Sequence, residues 1–194
     1  MAADMFMWFP EAAKGGMLKQ NATKPKGEST DAHFSKKNAL EIKSASGFGL
    51  EMQDTTGSGQ MGSGGGKVKF GEMQVKKLID LASVPLFEAA AAGAHFPTVN
   101  LAFRKQGGEK LTYLQFIFRQ VYVKKIDFDC QEDNTEETIT FTYNALGMRY
   151  VQQTATGGAG TGLQTAWSTS LNSPSMNVAG LQGQPAFDPD THSD

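Results

Sequence analysis

A mainly β fold, with two packed sheets forming a β-barrel beside one flanking α-helix, is the architecture this sequence predicts. Three observations predict it. Apolar and polar residues alternate along several stretches of strand length, and glycine, at 22 of 194 residues, punctuates those stretches. Only the segment near residues 83–93 carries a full set of helix signals. The length suits one domain, which we place at 1–172, followed by a C-terminal extension over 173–194.

The N-terminal segment through Phe9 reads as a first strand ended by Pro10. It is no signal peptide, because it lacks a basic n-region, carries Asp4, and has an apolar run, Met5–Phe9, shorter than the roughly 7–15 residues an h-region needs. Residues 10–31 are polar and Lys-rich, with Gly15-Gly16, Pro25 and Gly27, as in a loop or edge excursion. From 39 to 52, Leu40, Ile42, Phe48, Leu50 and Met52 alternate with Glu41, Lys43, Ala45, Gly47, Gly49 and Glu51, predicting one long strand with a polar face. Residues 53–66 are dominated by Gly and Ser and predict a long flexible loop. Strand-like sequence returns over 67–79. The helix follows, with Ser83 at its N-cap, Pro85 in its first turn, an alanine run and a closing Gly93.

Residues 97–105 and 111–128 form a predicted β-hairpin around Gly107-Gly108. The second strand is apolar on both faces, with Leu114, Phe116 and Phe118 on one and Tyr113, Ile117, Val121 and Val123 on the other. A subunit or the helix must therefore cover one of them, and symmetric closure into a homo-oligomeric ring does so for every copy. An acidic turn over 129–137 leads to a strand with Thr138, Thr140, Thr142 and Asn144 on one face; apolar parity then slips near Gly147, predicting a bulge. Residues 163–171, around Trp167, read as a last short strand. From Asn172 onward Pro, Gly, Ser and Asn dominate, and this tail cannot fold alone.

Lys plus Arg (18) nearly balances Asp plus Glu (20), so a net charge of −2 offers no general attraction for nucleic acid or a membrane surface. No stretch approaches the roughly 18 apolar residues of a membrane span. A single cysteine excludes an internal disulfide framework and a Cys-rich metal site, and fits folding in the cytoplasm. Gly57–Gly62 matches the dinucleotide fingerprint, but Lys67–Phe70 reads as a strand where a helix should open. Gly66-Lys67 fails as a P-loop, with Met61 in place of Gly and Val68 in place of Ser or Thr. The cluster Asp127, Asp129, Glu132, Asp133, Glu136 and Glu137 lacks the glycine of a calcium loop and reads as a solvated turn. Cys130, within it, is expected to be structural. His33, His95 and His192 are isolated, there is no nucleophile elbow, and Lys36-Lys37 and Lys76-Lys77 read as solvated strand ends. These residues predict no catalytic site, cofactor or metal.

Several strings, taken in order and spacing, resemble the haemolysin-coregulated (Hcp) proteins of bacterial type VI secretion. They are Lys26-Gly27-Glu28-Ser29 with Asp31 and His33, Ser63-Gly64-Gly65-Gly66-Lys67-Val68 with Ile79-Asp80, and Ala92-Gly93. His95-Phe96-Pro97, Phe103-Arg104-Lys105 with Gly107-Gly108, and Tyr113-Leu114 complete the set. The resemblance covers about residues 1–172; the first connection, 11–25, is longer than usual and 172–194 extends beyond the family pattern. It implies a hexameric ring stacked into a tail tube, no enzymatic activity, synthesis in the bacterial cytoplasm and export without a signal peptide to the extracellular space or a target cell. The implied partners are further copies of the chain, a sheath, a VgrG-like spike and effector proteins. On that reading the loop meets the next ring through Gln53, Asp54, Thr55, Thr56, Gln60 and Met61. The small and polar strand faces, including Glu41, Lys43, Ala45, Thr138, Thr140 and Thr142, line the lumen. Two other functions fit the residues: the tube of another phage-like contractile injection system, and a monomeric β-barrel holding a small apolar ligand.

Overall fold

The computed structural model describes residues 3–18, 22–53, 67–106, 110–132, 134–154 and 158–188. Strands β1 (Ala3–Trp8), β2 (Leu40–Ile42), β3 (Ser44–Ser46), β4 (Leu50–Gln53), β5 (Lys67–Phe70) and β6 (Met73–Leu78) precede helix α1 (Ser83–Ala92). Strands β7 (His95–Lys105), β8 (Thr112–Gln131), β9 (Asn134–Thr142), β10 (Ala145–Gln153) and β11 (Ala159–Ser168) follow it. The main sheet runs β2-β1-β7-β8-β9-β6-β3, with β10 also on β8 and β11 on β10; β4 and β5 form a separate antiparallel pair.

The geometry of β8 organises the fold. At 20 residues it is far longer than a usual strand and would span about 65 Å if straight. It bends instead at Gln120, whose φ of 51° is rare for a residue with a side chain. The Asn144 side-chain amide donates to Gln120 Oε1 at 2.7 Å and holds that bend. Before the bend β8 lies between β7 and β10, in register from Leu114↔Tyr150 to Arg119↔Ala145; beyond it, β9 takes over from Tyr122↔Thr142 to Gln131↔Asn134. The sheet thus forks at Tyr143–Asn144, one arm continuing to β6 and β3, the other to β11. Gly147 sits inside an unbroken ladder with β8, so the predicted bulge there is absent and the parity slip belongs to the fork.

The expected strand over 39–52 is three strands. Its first part pairs with β1, Lys43 donates its backbone N–H to the Lys76 carbonyl at 2.8 Å, and its second part pairs with β6. The first and last strands of the sheet are therefore consecutive in the chain, with no ladder between them: the sheet curls into a barrel-like shape without closing. Gly47, at φ 78°, turns the chain out into the β4–β5 arm, where a Cβ would meet the Glu72 carbonyl oxygen at 2.4 Å.

The curled interior is filled. Phe9, Phe96, Phe118 and Phe141 are fully buried there with Met7, Leu40, Val75 and Leu101, each phenylalanine contributing about 1.5–3 kcal/mol by transfer from water. Helix α1 closes one side through Leu86 and Ala89 and ends, as expected, at a left-handed Gly93. At its N-terminus Ala82 rather than Ser83 takes the cap position, without a side-chain bond. The chain also covers its own outer surface twice. Over β1 and β7, Phe34 stacks on Phe6 at 4.2 Å and meets Trp8 at 5.7 Å. Over β8 and β10, Met176 and Val178 from the tail bury Ile117 and Ala145. The expected second apolar face of 111–128 divides at Gln120: Val121 and Val123 turn into the main core with Phe118 and the helix residues Leu86 and Ala89, while Ile117, before the bend, is covered by the chain's own C-terminal extension.

Candidate assembly surfaces

Strand period decides which side chains reach the outside. In β6 and β9, Met73, Val75, Ile139 and Phe141 point into the core, so Gln74, Lys76, Thr138 and Thr140 occupy the opposite face. The register pairs Lys76 with Thr138 and Gln74 with Thr140, and places Ser44 and Ser46 beside them. Thr138 and Thr140 line an open groove with Glu72, Gln74, Lys124, Lys125 and Asp127. Glu41 and Lys43 line a second groove with Asp4, Asp31 and Lys110, where Ser29 Oγ donates to Glu41 Oε1 at 3.1 Å. Thr142 lies apart, at the base of the arm with Gly47, Glu51, Lys69 and Tyr143. Ala45 is half-buried and packs against the core.

Between these surfaces stands Glu136, which accepts from Lys43 Nζ and Lys76 Nζ, each at 2.5 Å. Hydrogen bonds from Lys43 and Lys76, together with Asn134, hold its carboxyl at about 2, well below the usual range, and the same contact raises the Lys76 ammonium. At Asp31, burial works upward, but the backbone N–H groups of Phe34 and His33 and the charges of Arg104 and Lys110 outweigh it and leave the carboxyl low. Its bond from Arg104 Nη1 is 2.7 Å long.

The residues read as a solvated acidic turn and as a solvated basic pair separate sharply. Lys77 and Glu137 are fully buried and bonded at 2.7 Å; Lys77 also reaches Asp80 Oδ1 at 2.7 Å and Ser83 Oγ at 3.2 Å, and Ser83 donates to Glu137 at 2.7 Å. This network ties β6 and β9 to the start of α1. Asp127, Asp129 and Glu132 remain exposed, and so does Cys130, which stands at the tip of the β8–β9 hairpin rather than in a structural position. His33 is not isolated: its Nε2 lies 2.7 Å from Asp188 Oδ2, across 155 residues of chain.

Gln53 is exposed at the end of β4, whereas Asp54, Thr55, Thr56, Gln60 and Met61 lie outside the described residues, as does the Gly57–Gly62 string. Lys67–Phe70 is a strand, which removes the helix that either phosphate motif requires. The arm is anchored by Phe48 on Phe116, at 4.9 Å, and by Phe70 on Tyr143, at 5.2 Å, while Leu50 and Met52 are exposed. Burial pushes the Tyr143 phenol up. One surface escaped the sequence reading: Leu81, Val84, Phe87 and Phe128 are all exposed, with the Phe87 and Phe128 rings 6.4 Å apart on the outer side of α1. Val84 and Phe87 lie one turn apart on α1, with Leu81 just ahead of its cap, a spacing visible in the sequence.

Packed inside, polar on one open sheet face and apolar on an exposed helix face, the molecule has the features of a protein built for contact with other macromolecules rather than for holding a small ligand. Comparison with known proteins gives the family. The model described as "Type VI secretion system effector, Hcp" matches residues 16–150, and the chain belongs to that family. A solved structure described as a type six secretion system protein is 30% identical, with a TM-score of 0.71, covering 89% of this chain and 99% of that one. Hcp1 from Salmonella typhimurium shares the fold at 24% identity and a TM-score of 0.66, over 90% and 99% of the two chains. Protein hcp1 of Pseudomonas aeruginosa is 32% identical over 94 residues, a stretch spanning 47% of this chain and 58% of that relative.

Proposed function

We propose that the chain is a structural subunit of a type VI secretion tail tube, assembling as hexameric rings that stack and carry effectors behind a spike. The observation that carries this reading is the family match over residues 16–150 on a fold similar along nearly the whole length of solved type VI secretion structures. Self-association has its own physical support in the exposed apolar group Leu81, Val84, Phe87 and Phe128, since surface this apolar marks contact sites. The chain acts without catalysis, its partners being further copies of itself, a sheath, a VgrG-like spike and effectors, and it is exported from the bacterial cytoplasm.

Residues 1–172 form the tube unit and 173–194 an extension to it. The face bearing Thr138 and Thr140, with Glu41, Lys43 and Thr142 at its margins, lines the lumen; it is the sheet surface that neither the helix, the 22–39 segment nor the tail covers. Ala45 contributes through its backbone, its methyl being turned to the core. Gln53 and the segment after it meet the next ring. Native mass spectrometry of the full chain at micromolar concentration tests this: six copies are expected, and a stable monomer at every concentration overturns it. Shortening Gly57–Gly64 separates the two levels of assembly, with rings retained and tubes lost.

A further inference from the structure

The tail from Asn172 to Asp188 is held as a bound ligand is held. Among the described residues it forms no ladder with the sheet beneath it: one bridge, Ser168↔Ser173, ties it to the end of β11, and a second, Val178↔Leu181, lies within the tail itself. Two anchors fix it. Met176, Val178 and Phe187 pack on Ile117 and Ala145, over Gly147, where a Cβ would approach Met176 Sδ to 2.9 Å and Phe187 Cζ to 3.2 Å. Asp188 is read at every polar atom: Gln115 accepts from its N–H and donates to its carbonyl, both at 3.0 Å, and Arg149 Nη1 donates to that carbonyl at 2.9 Å. Its carboxylate meets His33 Nε2 at 2.7 Å and ion-pairs with Lys37. Arg119, nine-tenths buried, spends its Nη2 on the tail carbonyls of Leu181 and Gln182 at 3.4 and 3.5 Å, and its Nε has no hydrogen-bond partner among the described residues.

Charge divides the same way. No Lys or Arg follows Arg149, so the tail carries no cationic side chain other than a protonated His192, while the cradle supplies Lys37, Arg119 and Arg149. We propose that the outer face of β8 and β10 is a peptide-binding cradle for an extended segment carrying an aromatic residue followed by aspartate, and that its occupant in an assembly is the tail of a neighbouring copy of this chain. The contacts are the same whether the tail arrives from its own chain or the next, so exchange costs only the hinge at 169–172, and subunits held side by side supply the high local concentration that exchange needs. The assembly context rests on the tube reading; the cradle itself does not.

The test uses full-length protein and a fluorescent, C-terminally amidated peptide of the sequence 172–188. The variant Phe187→Ala/Asp188→Asn keeps the cradle and weakens its own tail; cleavage by chymotrypsin within 173–188 reports release. The peptide is expected to bind this variant at least tenfold more tightly than it binds the unaltered chain, whose tail competes, and adding Gln115→Ala is expected to abolish that gain. Gly147→Val, which obstructs the cradle itself, is expected to release the tail and to bind no peptide. Equal binding to the unaltered chain and the double variant, no binding to either, an undiminished gain with Gln115→Ala, or collapse of the whole fold in the double variant would each overturn the proposal. Collapse would make the tail an integral layer. Because all readouts work on isolated chains, failure of ring assembly leaves them intact.

Discussion

Replacing Lys77 by methionine is the perturbation that most directly exposes how β6, β9 and α1 are joined. The ammonium is fully buried between Glu137 and Asp80, and it also bonds the Leu78 carbonyl at 2.7 Å. Methionine fills similar volume but leaves the Glu137 carboxylate, itself fully buried with Oε2 already unpartnered among the described residues, without its counter-charge. Removing one partner of a buried pair costs about 3–5 kcal/mol, because the remaining charge keeps its desolvation penalty. For a chain of this size that converts to a fall in melting temperature of roughly 6–20 °C. Glu137→Gln should cost less, about 1–3 kcal/mol, since Lys77 retains Asp80, Ser83 and the carbonyl. The double change Lys77→Met/Glu137→Leu should recover much of the loss. Thermal melts at fixed protein concentration read all three; a Lys77→Met midpoint within about 2 °C of the parent would show that the Lys77–Glu137 pair does not join these elements, as would a double variant weaker than both singles.

Gly27→Ala should cost about 1–3 kcal/mol, because the new Cβ would lie 2.2 Å from the Ala39 carbonyl oxygen and neither backbone can yield, whereas Gly49→Ala meets nothing and should be near neutral in urea titrations. The depressed carboxyl of Glu136 gives stability that is present above the ordinary glutamate value of 4.5 and is lost as pH falls toward about 2. Glu136→Gln should therefore flatten the acid limb of the stability profile in that window while changing little at pH 7 in slope; an unchanged acid limb would show the contact is not formed in solution. Phe87→Glu, on the exposed side of α1, should leave the melt within about 0.5 kcal/mol of the parent yet lower the multimeric fraction seen by mass photometry. Unaltered assembly would remove that face from the interface.

The helix, its closing Gly93 and most strands were legible because each follows one period. The split of 39–52 was not, because Leu40, Ile42 and Phe48 keep an even parity while the chain changes partners at Lys43 and turns out at Gly47. Lys77 and Glu137 hid for the opposite reason: each has an adjacent residue of the same type, Lys76 and Glu136, and chemistry alone cannot say which is inside. Position can. Met73, Val75 and Lys77, like Glu137, Ile139 and Phe141, hold one parity, so carrying the strand period through the charged residues predicts a buried pair. The threonine row 138, 140 and 142 was readable for the same reason, although only the first two share a groove. The docked tail left just one trace, Gly147, a glycine inside a strand where another segment lies close.

On the proposed function, the open polar face of β3, β6 and β9 lines the hole of a ring. A three-dimensional electron-microscopy map of the assembled full-length protein tests it at once. Closed hexameric rings are expected, stacked end to end, with Thr138, Thr140, Gln74 and Lys76 on the inner wall and the docked tail away from it. A ring whose hole is walled by α1 or by residues 173–188, or particles that never close, would contradict it.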